Sequence, residues 1–142
     1  MSAQHSMASL TYNNPSGGIK EFAEASYYSQ SVDMGNGTVK ASGQGGWSIE
    51  GGPLGGLPED AQAQVDAAFA NVDHVLRAVG LGVGDVYLVR SYHTNIDETM
   101  GLVTEAMRRL IPTHRPIWTA IGVTRLGHPS MQIEIEVEAR RS

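Results

Sequence analysis

The last third of the chain carries the groups best placed to do chemistry. In Met131-Gln132-Ile133-Glu134-Ile135-Glu136-Val137-Glu138-Ala139 three carboxylates recur at every second position. On a strand that spacing puts Glu134, Glu136 and Glu138 on one face and Met131, Ile133, Ile135 and Val137 on the other. The usual meaning of such a ladder is a solvated strand face. A carboxylate of the ladder that stands in a cleft would instead orient water as a general base. Just upstream, His114-Arg115-Pro116-Ile117-Trp118-Thr119-Ala120-Ile121-Gly122-Val123 contributes Arg115 and Trp118. Their bland readings are a surface cation before a strand and a large apolar residue closing an interface.

Other patterns carry less. The five histidines, His5, His74, His93, His114 and His128, show no metal-ligand spacing. No Gly-x-Ser-x-Gly elbow and no Ser/His/Asp set stands out. Gly80-Leu81-Gly82-Val83-Gly84 follows a helix and precedes a strand, the wrong order for a phosphate-binding turn. Gly43-Gln44-Gly45-Gly46 and Gly51-Gly52-Pro53-Leu54-Gly55-Gly56 lack the Lys-Ser/Thr of a P-loop. They read as flexible loop, or as backbone that must approach a ligand closely.

The elements that would position these groups can be traced along the chain. Residues 1–20 read as a poorly anchored terminus followed by a turn at Asn13–Gly18. Tyr27–Val32 has strand character, Asp33–Gly37 is turn chemistry with an Asn-Gly pair, and Thr38–Ser42 returns as a strand. Residues 43–58 read as loop. Ala61, Val65, Ala68, Phe69, Val72, Val75, Leu76 and Val79 form one helical stripe that Gly80 ends. Asp85–Thr94 reads as a strand, and Ile96–Leu110 as a second helix ended by Pro112. Residues 117–123 and 131–139 then read as a closing β-hairpin. On its first arm Ile117, Thr119, Ile121 and Val123 share the face expected under the helices, and Trp118, Ala120 and Gly122 the other. Two helices cover one side of a sheet, so the opposite face is wet or covered by another subunit.

Bulk properties narrow the function classes. At 142 residues the chain reads as one domain with one core. Ten basic against fifteen acidic residues gives a net charge of −5, which argues against a nucleic-acid surface. With no cysteine, disulfide and thiol chemistry are excluded. No apolar run approaches the ~20 residues of a membrane span, and the start lacks a signal-peptide pattern. The expectation is a cytoplasmic protein with no membrane partner.

Several segments together resemble the Rid (YjgF-type) reactive-intermediate deaminase family. Tyr28-Ser29-Gln30-Ser31-Val32 is similar to its Tyr-Ser-Gln-Ala-Val segment, and Ser42-Gly43-Gln44 to its Ser-Gly-Gln turn. Asn71-Val72 through Gly80 follows its first-helix pattern, and Ile133-Glu134-Ile135-Glu136 its Val-Glu-Ile-Glu closing strand. The resemblance covers about residues 20–140. It implies an α+β, chorismate-mutase-like fold, a mixed β-sheet with two helices on one face. It also implies a homotrimer with a ligand cleft at each subunit interface. By domain, residues 1–19 form a flexible N-terminal segment and residues 20–142 a single Rid-like domain. Family members hydrolyse 2-imino acids and their enamine tautomers to 2-keto acids and ammonia. An Arg in a Pro-x-Arg motif clamps the substrate carboxylate, and a Glu on the closing strand orients water.

This sequence departs from that pattern at the clamp. Pro116-Ile117-Trp118 aligns with Pro-x-Arg, so Trp118 takes the Arg position, and the helical Asn of many members is Thr104. An indole has one N–H donor and cannot make a bidentate clamp. Losing such a contact costs roughly 2–5 kcal/mol. Arg115 lies three residues earlier, and strand parity points it away from Trp118's face. The expected site is Glu134 as the catalytic group, with Tyr28, Trp118, Arg115, Gly43 and Gln44 binding substrate and with no metal or cofactor. Three functions follow: a Rid-like hydrolase for an imine, enamine or related electrophile lacking a carboxylate; a non-catalytic small-ligand-binding trimer; or a ribonuclease, which the acidic balance disfavours.

Overall fold

The two long helices form where the apolar stripes place them. The computed structural model describes residues 9–142. Helix α2 spans Ala61–Arg77, and the Asp60 carboxylate accepts a hydrogen bond from the Ala63 N–H at 3.0 Å to cap it. Its stripe of Val65, Ala68, Phe69, Val72, Val75 and Leu76 is wholly buried. Gly80, at φ 81°, turns the chain out after it. Helix α3 spans Ile96–Leu110, with Asp97 and Glu98 in its first turn and Arg108 and Arg109 in its last, the signs that suit the helix dipole. A shorter helix, α1 (Gly18–Ala25), adds a third to the two expected. It buries Ile19 and Ala23 and packs against a 3-10 turn at Gly52–Leu54.

Six strands form one mixed sheet. They are β1 (Thr11–Asn13), β2 (Ser31–Asp33), β3 (Thr38–Gln44), β4 (Val86–His93), β5 (Ile117–Gly122) and β6 (Ile133–Arg140), in the order β1-β2-β3-β6-β4-β5. Every neighbouring pair is antiparallel except β4 and β5, which run parallel and are connected through α3. The β2–β3 turn uses Gly35 and Gly37 at φ 76° and 96°, as its sequence demands. Helix α2 lies against β3 and β6, and α3 against β4 and β5. The core sits between them and is built from the α2 stripe, Val103 and Ala106 of α3, and Ile133, Ile135, Val137 and Ala139 of β6.

Three expectations are corrected. The closing strands are no hairpin: β4 stands between β5 and β6. Alternation fixes which side chains share a face but not which strand is the neighbour. The connection between β5 and β6 is also longer than a tight hairpin loop. The helix-facing side of β5 is the opposite one. Trp118 pairs with Val89 and packs on the core, while Ile117 is 65% exposed. Burying the indole removes more apolar surface from water than burying Ile117 would. Ordered structure also begins before residue 20, since Thr11–Asn13 pairs with β2 and Ile19 is fully buried. Of the N-terminal segment expected to be flexible, residues 1–8 lie outside the described residues.

Candidate functional site

The acidic ladder is resolved by its neighbours into two paired acids and one free one. Burial of Ile133 and Ile135 forces Glu134 and Glu136 onto the open face of β6. Tyr92 Oη donates to Glu136 Oε1 at 2.5 Å, and Tyr87 Oη donates to Glu138 Oε1 at 2.6 Å. Arg90 Nη1 stands 3.7 Å from a carboxylate oxygen of each. The Tyr92 phenol is pushed up to about 12 chiefly by its bond to Glu136. Among the described residues Glu134 takes no hydrogen bond and no ion pair. Burial raises its carboxyl above the ordinary glutamate range, and the charge of Glu136 raises it further.

Glu134 rests on β3 where that strand is irregular. The β3–β6 register shifts between Ala41 and Gln44, which sets Ser42 and Gly43 out of the regular ladder. Glu134 fills the space above Gly43: a Cβ built there would overlap Oε2 and lie 2.7 Å from Cδ. Gly43 is therefore required by the close approach of a carboxylate, as well as being part of a recognisable turn. Glu134, Gly43, Ser42 and Tyr28 line one cleft of about 380 Å³.

Tyr28 reaches that cleft through a strained turn. Tyr27 follows α1 at φ 62°, a left-handed conformation usually left to glycine, and is 97% exposed. The next residue then donates its backbone N–H to Ala23 O at 3.0 Å and packs edge-to-face on Phe22, with ring centroids 6.2 Å apart. The Tyr28 Oη accepts from Gln30 Nε2 at 3.2 Å, which leaves its own O–H for a ligand. Burial raises the phenol above its ordinary value, with the Gln30 bond opposing and the charge of Glu134 adding.

Gln44 does not line the cleft. It is fully buried, and its Nε2 donates to Gln30 Oε1 at 2.6 Å. It acts at one remove, fixing the amide of Gln30 that in turn holds Tyr28. The cleft also takes Trp47 and Met131, which sequence reasoning did not single out. The signal for Trp47 was its place in a glycine-rich loop, and Asn71 of α2 fixes that loop by donating to Gly45 O at 2.9 Å and Trp47 O at 2.7 Å.

Trp118 and Arg115 stand elsewhere. With Thr104 they line a second groove, of about 260 Å³, at the α3 and β5 edge. The parity expected to separate Arg115 from Trp118 therefore fails, because Arg115 precedes the strand and is not bound by its register. Trp118 Nε1 donates to Ser91 Oγ at 2.8 Å. Ser91 Oγ is 2.7 Å from His93 Nε2, and His93 Nδ1 is 2.5 Å from Thr99 Oγ1, which donates to Asn95 O at 3.0 Å. Proton counting fixes the order. Thr99 spends its proton on Asn95, so it accepts from His93 Nδ1–H, and His93 Nε2 accepts from Ser91, whose oxygen receives the indole. Burial pushes the His93 imidazole down, which favours this neutral form.

The pattern of the family described as Endoribonuclease L-PSP matches residues 18–141. The Escherichia coli (strain K12) protein named "Putative reactive intermediate deaminase TdcF" is 26% identical over 113 residues, 79% of this chain and 83% of that protein. The structure of E. coli TdcF with bound serine superposes at a TM-score of 0.69, 28% identical, over 81% of this chain and 88% of that one. The E. coli protein YjgH gives 0.76 at 32% identity over 92% and 95%. A Mycobacterium tuberculosis member of the YjgF/YER057c/UK114 family gives 0.75 at 26% identity over 94% and 100%.

Two double-mutant cycles test this geometry by urea denaturation. Gly43→Ala is expected to cost about 1–3 kcal/mol through overpacking, and clearly less in a Glu134→Ala background, where the clashing carboxylate is gone. An equal cost in both backgrounds would refute the close approach. Ser91→Ala and Trp118→Phe should each cost about 1–3 kcal/mol by leaving buried partners unpaired. Their sum should exceed the cost of the double variant, and strict additivity would show that the indole bond does not form.

Proposed function

The chain belongs to the Endoribonuclease L-PSP family of YjgF/Rid proteins, and on that premise we propose that it is a hydrolytic deaminase for a reactive imine or enamine. One observation carries the reading: of three carboxylates on one strand face, only Glu134 is unpaired, partly desolvated and in a cleft. A carboxyl raised toward neutral pH is suited to general base work. In this mechanism Glu134 takes a proton from water as the oxygen bonds to the carbon of a protonated C=N group. The carbinolamine then collapses as Glu134 returns the proton to nitrogen. The C–N bond breaks as Glu134 takes the proton of the carbinolamine hydroxyl, leaving a carbonyl compound and ammonia, which departs with that proton as ammonium. The free O–H of Tyr28 holds the substrate nitrogen or the attacking oxygen in place.

The chain acts as a homotrimer in this reading, with a cleft at each interface and in the cytoplasm. Support for assembly comes from the open sheet face, where Arg90, Tyr92 and Glu136 are only half-buried and Ile117 is exposed. Trp118 and Arg115 do not join the Glu134 cleft within one chain, so contact with a bound ligand requires a neighbouring subunit. Trp118 supplies no guanidinium fork, and 2-imino acids become poor substrates. No helix among the described residues is long and apolar enough to cross a membrane. The family description names a ribonuclease, but the Glu134 cleft has no Lys or Arg in its lining to meet phosphates.

The test is ammonia release from ethanimine and 2-iminopropanoate, made in situ by amine and amino-acid oxidases and competed against semicarbazide. Wild type should accelerate ethanimine loss more than 2-iminopropanoate loss. Glu134→Gln should lower turnover by roughly 100-fold or more. Because the base must be ionised, activity should fall as pH drops through a value above the ordinary glutamate range, and the Gln variant should lose that limb. Undiminished turnover in Glu134→Gln would contradict the assignment, and saturable binding without turnover in wild type would make the protein a binder.

A further inference from the structure

The cleft beside Glu134 has a second half that the chemistry above does not use. Phe22, Trp47, Pro53, Leu57 and Met131 surround it with apolar surface. Three elements supply that wall: α1, the glycine-rich loop and the approach to β6. The wall is held in place. Trp47 is 7% and Met131 5% exposed, and the Trp47 ring and the Met131 thioether methyl close over Gly45, where a Cβ would stand 2.5 and 2.6 Å from them. Asn71 fixes the backbone beneath.

Charge is distributed along the cleft in one sense. The unpaired carboxylate of Glu134 stands over Gly43, two residues from the Gly45 that Trp47 and Met131 cover. The lining brings no Lys or Arg, and its one histidine, His128, is exposed with its Nδ1 already accepting from the Ser130 N–H at 3.0 Å. An anionic ligand would meet a like charge with no compensating cation from this chain's own lining of the cleft. A ligand with a protonated nitrogen and an apolar arm meets an anion at one end and desolvated aromatic and aliphatic surface at the other. At about 380 Å³ the cleft has room for an arm the size of an aromatic ring.

We infer that the substrate is the imine of an apolar, carboxylate-free aldehyde or ketone whose ring-sized substituent sits between Trp47, Leu57 and Met131. This deepens the hydrolase reading and rests on it for the reaction. The inference about ligand class rests on the cleft alone. The reaction balances as imine plus water giving the carbonyl compound and ammonia, with no other reactant.

The experiment has a binding arm and a turnover arm. The chain has two tryptophans, so Trp118→Phe leaves Trp47 as the reporter in the cleft. 2-Phenylethylammonium should quench Trp47 fluorescence saturably, ethylammonium and phenylacetate far more weakly. In turnover, 2-phenylethanimine made by amine oxidase should exceed ethanimine in kcat/KM by about 100-fold. Leu57→Asn should lower that ratio by about tenfold. Equal handling of the two imines, or equal binding of phenylacetate, would overturn the inference while leaving the hydrolase reading intact. Selective binding of 2-phenylethylammonium with neither imine consumed would uphold the ligand class and overturn the hydrolase.

Discussion

The structure depends on the two-residue alternation of β6 at the centre of the sheet. Ile133, Ile135, Val137 and Ala139 are almost completely buried beneath the helices, and among the described residues no other strand buries so regular an apolar row. A slip of one residue would send these four into water and three carboxylates into the core. The hydrophobic effect therefore fixes the register of β6, and with it the positions of Glu134, Glu136 and Glu138. The geometry of the candidate site is a by-product of core packing on the opposite face of the same strand.

What distinguishes Glu134 from its two companions comes from the neighbouring strands. β4 presents Tyr87, Arg90 and Tyr92 to the ladder, and these give Glu138 and Glu136 hydrogen-bond and ion-pair partners. β3 meets Glu134 with a register break and a glycine, so the carboxylate gains space and loses solvent without gaining a partner. An unpaired, partly desolvated acid is costly to a fold, and such costs concentrate at sites with a use for them. The left-handed Tyr27 is a second such cost, and it directs Tyr28 at the same cleft. The Trp118–Ser91–His93–Thr99 chain satisfies every donor it buries and reads as the opposite case, a closed polar network that anchors the β5 edge.

Much of this was legible in the sequence because local pattern and global fold agree there. The α3 bounds, the α2 stripe with its Gly80 stop, and the faces of β6 all follow from periodicity and end signals. Pairing was not legible, because alternation is identical whether β6 lies beside β5 or β4. The inward face of β5 was misjudged because Ile117, Thr119 and Ile121 look like a core row, whereas one indole with an acceptor at Ser91 outweighs them. Helix α1 was missed because at eight residues, started by Gly17 without a side-chain cap, it draws its stability from tertiary contacts. Of the residues expected at one site, Glu134, Gly43 and Tyr28 line one cleft. Gln44 stands behind that cleft, buried against Gln30. Trp47 carried only the signal of its glycine-rich loop and Met131 none, because only folding brings residues so far apart in sequence to one wall.

The central claim is that Glu134, left without a partner in the folded cleft, titrates above the ordinary carboxylate range. The direct measurement is a carbon-13 NMR titration of the side-chain carboxyls in protein labelled at glutamate, with Glu134→Gln assigning the resonance. The account predicts a midpoint for Glu134 raised above the ordinary glutamate value. A Glu134 midpoint at or below the ordinary glutamate value would show a well-solvated or paired carboxylate, and would contradict the site as described.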